Sequence, residues 1–323
     1  MYVPHDYLTA TILMFVTMVC WGSWANTQKL TQHGRFELFY WDYTIGLVLG
    51  SLILGFTLGN QHSGEGLMLL ADFNQARLDA FWDAFGSGVL FNLANVFLVA
   101  GIALVGMAVA FPVAIGMALI IGTLLSYMVQ PSGNALLLFA GVFSVLIAVL
   151  LDARAYKALS HASKGSKGML LPIVSGLLMG LFYPLIARSM SGVQALGPYA
   201  ALIVFCVGVL LGNIPLNALL MRKPLEGTPL RGSHYWHLSF ADHLCGIFGG
   251  LIWVLGMGFN LIAAKHTGPA IAYAFGQGAT LVAAFWGVFI WKEFKGHPEV
   301  NRLLALMFVA YLIGLVLIGA SSN

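Results

Sequence analysis

Charge is scarce in this chain. Only 8% of its 323 residues are Asp, Glu, Lys or Arg, against roughly 25% in an average soluble protein. So little charge cannot cover the surface of a water-soluble domain of this length. The mean hydropathy of +0.88 holds along nearly the whole chain and leaves no sizeable soluble domain. Cysteine is scarce as well: Cys20, Cys206 and Cys245 fall in or beside apolar runs, with no C-x-x-C pair or metal spacing. There is no Walker A loop, no H-E-x-x-H pair and no nucleophile elbow. These absences argue against nucleotide-dependent enzymes, metal or cofactor chemistry and nucleic-acid partners. What is left is an integral membrane protein. Its net charge of +3 comes from so few groups that it reports topology rather than attraction to an acidic partner.

Apolar length is what the chain has in abundance. A helix needs about 20 apolar residues to cross the hydrocarbon core. Ten stretches qualify: 7–26, 36–58, 80–103, 104–129, 134–151, 169–190, 197–221, 241–264, 267–291 and 301–320. None alternates with period two, as a barrel strand would, so the fold class is an all-α membrane protein. The first stretch has neither a basic leader nor a small-residue cleavage site and is read as an uncleaved helix. Of the fifteen Lys and Arg residues, twelve lie at the connections after spans 1, 5, 7 and 9, and only Arg77, Arg188 and Lys265 lie on the other side. By the positive-inside rule both termini then face outside, in a multi-pass protein of the plasma or inner membrane. The segment 59–80 is amphipathic around Leu67–Phe81 and is predicted to be an interfacial helix, or an extension of span 3.

The connection 152–168 falls near the middle of the chain, between halves 1–151 and 169–323. A shift of 162 residues matches Gly106, Ala108, Ala110, Gly116 and Leu119 with identical residues, and sets Phe111 on Tyr273 and Phe91 on Trp253. Five spans is an odd number, so a repeat of five is inverted. Two inverted five-helix repeats are an architecture of alternating-access carriers, whose site lies at the midplane between halves. Small residues also recur at i+4 in span 4 (Gly106, Ala110, Ala114, Ala118, Gly122) and in span 9 (Gly268, Ala272, Gly276, Thr280, Ala284). Such stripes let helix backbones approach closely.

Polar groups at mid-depth need partners or a wet cavity. Asn92 and Asn95 in span 3 and Gln277 in span 9 stand at the depth where such a carrier holds its cargo. Asn260, Asn213 and Asn217 fit interhelical hydrogen bonds at least as well. An amide both donates and accepts, which suits hydroxyl, urea or imide groups. Trp21, Trp24, Phe111, Tyr183 and Tyr273 frame these amides, as stacking surfaces or, for Trp24, as an interface anchor. Pro112 and Pro184 are expected to kink their spans. No Lys or Arg occupies a midplane position, so the cargo is read as neutral. Asp42 is the one acid well inside a predicted span. It is a candidate proton-coupling carboxylate, or equally an ion-pair partner of Lys29 or Arg35; His243 reads as a surface residue.

The stretch CWGSWANTQKL (20–30), followed by FELFYWDY (36–43), resembles the opening of ureide-permease-type carriers. These belong to the drug/metabolite transporter superfamily, together with the glucose/ribose porters and rhamnose–proton symporters. The resemblance implies ten helices in two inverted repeats and a cavity lined by spans 1, 3, 4, 6, 8 and 9. Position by position it favours Trp21, Trp24, Asn26, Asn92, Asn95, Tyr183 and Gln277, and it leaves Asp42 on a more peripheral helix. Plant ureide permeases carry a longer central loop with a Walker-A-like stretch. Residues 163–168 here lack it, so no nucleotide role follows.

The function expected is secondary transport of a small neutral polar solute: a sugar such as ribose or glucose, or a ureide or nucleobase, taken up with protons. Export by the same architecture is the alternative. The lipid bilayer, the solute and protons are the expected partners, and a homodimer is left open. An intramembrane enzyme would need paired acids, metal ligands or a nucleophile–base pair at one depth, which the chain does not offer. A receptor would need larger loops.

Overall fold

In hydrocarbon every backbone N–H and C=O must find its partner within the segment, which leaves helices as the economical way across for spans this apolar. The computed structural model describes residues 1–32, 35–61, 66–105, 107–159, 169–224 and 227–322. Its helices are α1 (Tyr7–Ser23), α2 (Asn26–Lys29), α3 (Phe36–Thr57), α4 (Leu69–Gln75), α5 (Leu78–Val105), α6 (Met107–Val129), α7 (Ala135–Leu159), α8 (Leu170–Ser189), α9 (Pro198–Arg222), α10 (Gly232–Trp236), α11 (Phe240–Thr267), α12 (Pro269–Gly276), α13 (Ala279–Phe285) and α14 (Asn301–Ala320). Ten spans among the described residues are long and apolar enough to cross a membrane. α1 and α2 together make the first span; α12, α13 and a π-helical turn at Trp286–Ile290 make the ninth. Local signals set the ends. Asp6 caps α1 by accepting from Thr9 N at 2.8 Å, and Ser239 caps α11 through Asp242 N at 3.1 Å. Gly268, at φ 88°, ends α11, and Pro269 opens α12 directly after it.

Three expectations are corrected. The fifth span does not stop at residue 151: α7 runs to Leu159 and carries Asp152, Arg154 and Lys157 inside the helix. Hydropathy falls there, but Ala, Arg, Leu and Lys are all good helix formers, so the helix continues past its apolar part. The single interfacial helix over 67–81 is replaced by the seven-residue α4, an extended residue at Ala76 and the start of α5 at Leu78. Arg77 marks that break. Its backbone N–H donates to Gln194 O at 2.9 Å, and its guanidinium donates to Ser191 O and Val193 O, tying the corner to the loop after α8. The ninth span, read as one helix, is interrupted at Gly276-Gln277-Gly278. Glycine is the weakest ordinary helix former, and two flanking one residue allow the turn.

The helices pack in a pattern that repeats when the halves are exchanged. α5 packs on α8 and α9, while α11 packs on α1 and α3; α6 packs on α8 and α13 on α1; α7 packs on α14. Counting spans, the first three pairs of the first half map onto observed pairs of the second when span n is replaced by span n+5, and the α7–α14 pair maps onto itself. Glycines carry the closest crossings. A Cβ on Gly250 would stand 2.1 Å from Tyr43 O, and one on Gly46 2.2 Å from Ile247 O, where α11 meets α3. At the α5–α9 crossing a Cβ on Gly88 would stand 2.1 Å from Phe205 O, and one on Gly208 2.3 Å from Phe85 O. The shift of 162 residues found in the sequence carries Gly46 to Gly208 and Gly88 to Gly250. The small-residue stripes are buried as expected from Ala110 to Gly122 and from Gly268 to Ala284; Gly106 lies outside the described residues. Apolar side chains such as Leu8, Ile12, Phe15 and Val19 on α1 remain exposed on the outer surface, as side chains facing lipid do.

Candidate functional site

The middle of the bundle is aromatic. The Trp21 ring of α1 stacks on Trp253 of α11 at 5.7 Å, Trp253 meets Phe91 of α5 at 4.5 Å, and Phe91 meets Phe182 of α8 at 5.2 Å. Phe205 of α9 closes the group against Phe91 and Trp253. Offset and edge-on rings of this kind hold one another by about 0.5–1.5 kcal/mol per pair beyond their buried area. This girdle joins spans 1, 3, 6, 7 and 8 and separates two groups of polar side chains.

On one side, Asn92 and Asn95 project from one face of α5. Both amide atoms of Asn92 and Nδ2 of Asn95 are buried without a hydrogen-bond partner among the described residues, and so are Trp21 Nε1 and the hydroxyls of Tyr40 and Tyr43. Asn92, Tyr40 and Tyr43 are 0% exposed. The Tyr40 hydroxyl approaches the Asn95 amide without reaching hydrogen-bond geometry. Tyr40 and Tyr43 stack at 5.3 Å, and Trp24 covers Tyr43 at 4.7 Å. The polar seam continues between α3 and α9: Asn213 Nδ2 donates to Thr44 Oγ1 at 3.2 Å and Asn217 Nδ2 to Glu37 O at 2.8 Å, each leaving its Oδ1 unpaired. Gly212 of α9 faces Asn92: a Cβ there would stand 3.5 Å from Asn92 Nδ2, an ordinary contact. Leaving a buried polar atom unpaired costs about 1–3 kcal/mol. Several such atoms in one seam mark a place suited to a polar guest. Asn92, Asn95, Trp21 and Trp24 are legible in the sequence as candidates; Tyr40 and Tyr43 are not singled out there, though both lie in the stretch 36–43.

On the other side, the polar atoms are already paired. Tyr183 OH donates to Asn260 Oδ1, and Asn260 Nδ2 donates to Ala272 O at 2.8 Å. Tyr273 OH donates to Ala118 O at 3.2 Å and Met179 O at 3.4 Å. Its ring sits over Gly122, where a Cβ would come within 2.4 Å of it. These three residues pin spans 4, 6, 8 and 9 together, and the two tyrosine rings pack on each other at 4.6 Å. Gln277 stands apart at the α12–α13 turn, half-buried.

Asn26 and Phe111 lie elsewhere, at the end of the bundle that carries Lys29 and Glu293. They line a cavity of about 160 Å³ between spans 1, 4, 5 and 9, with Pro112, Asp152, Tyr156 and Trp291. Four contacts close its mouth: Lys29 Nζ to Glu293 Oε1 at 2.8 Å, Tyr156 OH to Glu293 Oε2 at 2.6 Å, Trp291 Nε1 to Asn26 Oδ1 at 2.6 Å and Trp286 Nε1 to Ser23 Oγ at 2.9 Å. Burial alone would raise the Glu293 carboxyl. The bonds from Lys29 and Tyr156 and the Lys29 charge outweigh it and hold the group below its ordinary 4.5. Asp152, which the sequence reading left outside the span, stands half-buried in the cavity wall with Oδ1 unpaired. The signal that would have found it is the helix-forming run after it.

Asp42 pairs with neither basic residue proposed for it. Lys29 is taken by Glu293, and Arg35 by Glu37 at 3.1 Å. Asp42 instead accepts from Tyr235 OH of α10 and lies 2.8 Å from His243 Nδ1 of α11. His243 is therefore half-buried against a carboxylate rather than on the surface. Burial and the Asp42 charge push the Tyr235 phenol above its usual range. Among the described residues no group of three or more His, Cys, Asp or Glu side chains is placed to hold a metal ion.

Comparison with known proteins agrees with this architecture. Ureide permease 4 of Arabidopsis thaliana is 22% identical across 100% of this chain and 99% of its own. The glucose uptake protein GlcU of Bacillus subtilis (strain 168) is 26% identical over 73% of this chain and 75% of its own. A solved crystal structure superposes with a TM-score of 0.56 at 17% identity, over 97% of this chain and 99% of that one, which shows the fold alone. The relatives are permeases, not enzymes, and this chain is likewise a multi-pass membrane transporter of small polar metabolites. The sugar transport protein family profile matches residues 12–321, and to that family the chain belongs.

Proposed function

We propose that the chain takes up a small neutral solute, a sugar such as ribose or glucose or a ureide or nucleobase, held by Asn92 and Asn95 in the seam between α3, α5 and α9. The observation that carries this reading is the set of buried, unpaired amide, phenol and indole groups beside the aromatic girdle. Amides that donate and accept match hydroxyls and ureas, and the faces of Trp21, Trp24, Tyr40 and Tyr43 match the C–H face of a sugar or a flat heterocycle. Tyr183 and Tyr273 contribute ring surface, and Gln277 the hinge of the ninth span. Asn26 and Phe111 line the vestibule that the cargo crosses when the Lys29–Glu293 contact opens.

The two halves, 1–151 and 169–323, rock about the glycine crossings as inverted repeats. Both termini face outside a plasma or inner membrane, which puts the Lys29 end in the cytoplasm. Asp42 with His243 is the coupling site, because a carboxylate–imidazole pair exchanges a proton without a metal. The cargo is identified by a thermal-shift and uptake panel of ribose, glucose, rhamnose, allantoin, uracil and a nucleoside. Stabilisation grows with ligand concentration over Kd, so the cargo registers at millimolar levels. If a phosphorylated or cationic solute alone stabilises the protein, the neutral-cargo reading is wrong. Asp42→Asn abolishes accumulation driven by a pH gradient and leaves cargo exchange intact. Accumulation by that variant would instead make Asp42 structural.

A further inference from the structure

A groove of about 550 Å³ lies on the outside of the bundle at the end that carries Lys29 and Glu293, away from the cargo seam. Its walls are apolar and aromatic: Trp41 and Ile45 of α3, Met221 of α9, Leu230, and Trp236 of α10. Its rim carries two arginines, Arg222 and Arg231. Both are exposed, and neither forms an ion pair among the described residues. That contrasts with Arg35, Arg77 and Arg188 on the same molecule, each paired with a carboxylate. Trp236 is 79% exposed and Phe240, just beyond it, 77%. Aromatic side chains left open at the end of a span are typical of the membrane interface.

Beyond Ile45 the exposed apolar surface continues along the helices. Ile45, Leu49 and Ile53 are exposed along one face of α3, and Ile214 and Leu211 along the adjoining face of α9. Eight residues of helix separate Ile45 from Ile53, which is about 12 Å of continuous apolar surface at 1.5 Å per residue. The shape is a charged head site above a long apolar trough. An arginine guanidinium offers forked donors that suit a phosphate, and two of them together favour a ligand with a net negative charge. A soluble anion would use the rim and leave the trough bare. We propose that the groove binds an anionic phospholipid of the surrounding leaflet, with its headgroup phosphate at Arg222 and Arg231 and an acyl chain along Ile45, Leu49 and Ile53. The site does not depend on the identity of the cargo.

Native mass spectrometry of the purified full-length protein tests this, with phosphatidylglycerol and phosphatidylcholine of identical acyl chains titrated in turn. Each basic group near an anionic headgroup is worth about 1 kcal/mol, so phosphatidylglycerol binds at least about tenfold more tightly. The double variant R222Q/R231Q loses that preference, whereas Lys223→Gln, one residue from Arg222 but not lining the groove, keeps it. Both sets of side chains are exposed, so folding is preserved and is checked by the melting temperature. Equal binding of the two lipids overturns the proposal. So does an equal loss in Lys223→Gln, which would mean a diffuse charge effect. Displacement of phosphatidylglycerol by millimolar inorganic phosphate would make the rim a soluble-anion site and would also overturn it.

Discussion

Two kinds of buried polar side chain coexist in this bundle, and they lead to opposite predictions. Tyr183 and Asn260 satisfy each other, so Tyr183→Phe strands the Asn260 carbonyl oxygen and lowers stability by about 1–3 kcal/mol. Asn92 has no hydrogen-bond partner among the described residues, so Asn92→Leu removes an unpaired amide and leaves the melting temperature level or higher. A thermal melt of both variants checks the contrast; a larger loss for Asn92→Leu would mean that Asn92 is structural. Asp72 offers a separate test outside the spans. Burial raises its carboxyl above the ordinary 3.8, against opposing bonds from Gly197 N and Gln75 and the charge of Lys265. A raised acid favours the folded state below its unfolded value and loses that contribution as pH climbs through the folded one. Asp72→Asn should therefore flatten the fall in stability as pH rises from 3.8 through that raised value. An unchanged slope would contradict it. That Asn92 and Asn95 are buried polar groups was legible in the sequence, because an amide at mid-depth is conspicuous among Leu and Val. Tyr40 and Tyr43 do not stand out, because a tyrosine in an apolar run reads as an aromatic, and the hydroxyl partners of Tyr183 and Tyr273 are not visible because they lie on other helices.

Among the elements, the glycine crossings make the sharpest statement. Gly250 and Gly88 each meet a carbonyl oxygen from the facing helix closer than any Cβ allows. Backbone cannot yield as a flexible side chain can, so overpacking costs about 1–3 kcal/mol. Gly250→Ala and Gly88→Ala should lose stability alike, by unfolding in detergent, if the α3–α11 and α5–α9 crossings are equivalent. A loss confined to one would break the equivalence of the halves. The ten spans were legible because each needs about 20 apolar residues, and nothing else in the chain is that long. Their breaks were not. Glycine is common in membrane helices, so Gly276-Gln277-Gly278 gave no warning of a turn. The continuation of α7 past Asp152 was hidden because hydropathy measures burial in lipid, not helix formation. The partners of Asp42 were hidden for a further reason: Tyr235 and His243 lie about 200 residues away, beyond any local pattern.

For the molecule as a whole, a girdle of aromatic rings spans the centre, a seam of amides and phenols unpaired among the described residues lies against it, and close glycine crossings join α3 to α11 and α5 to α9. The Lys29–Glu293 pair is too exposed to hold a fold together, since such surface pairs contribute about 0–1 kcal/mol, but it suits a contact that forms and breaks once per cycle. The central claim is that the seam at Asn92 and Asn95 holds the cargo. The most direct measurement is cargo exchange in proteoliposomes, comparing the unaltered protein with Asn92→Ala and Asn95→Ala at several cargo concentrations. Losing a buried hydrogen bond worth about 1 kcal/mol or more should weaken half-saturation about fivefold in each variant while the melting temperature holds. Unchanged half-saturation in both variants would place the cargo site elsewhere and contradict the account.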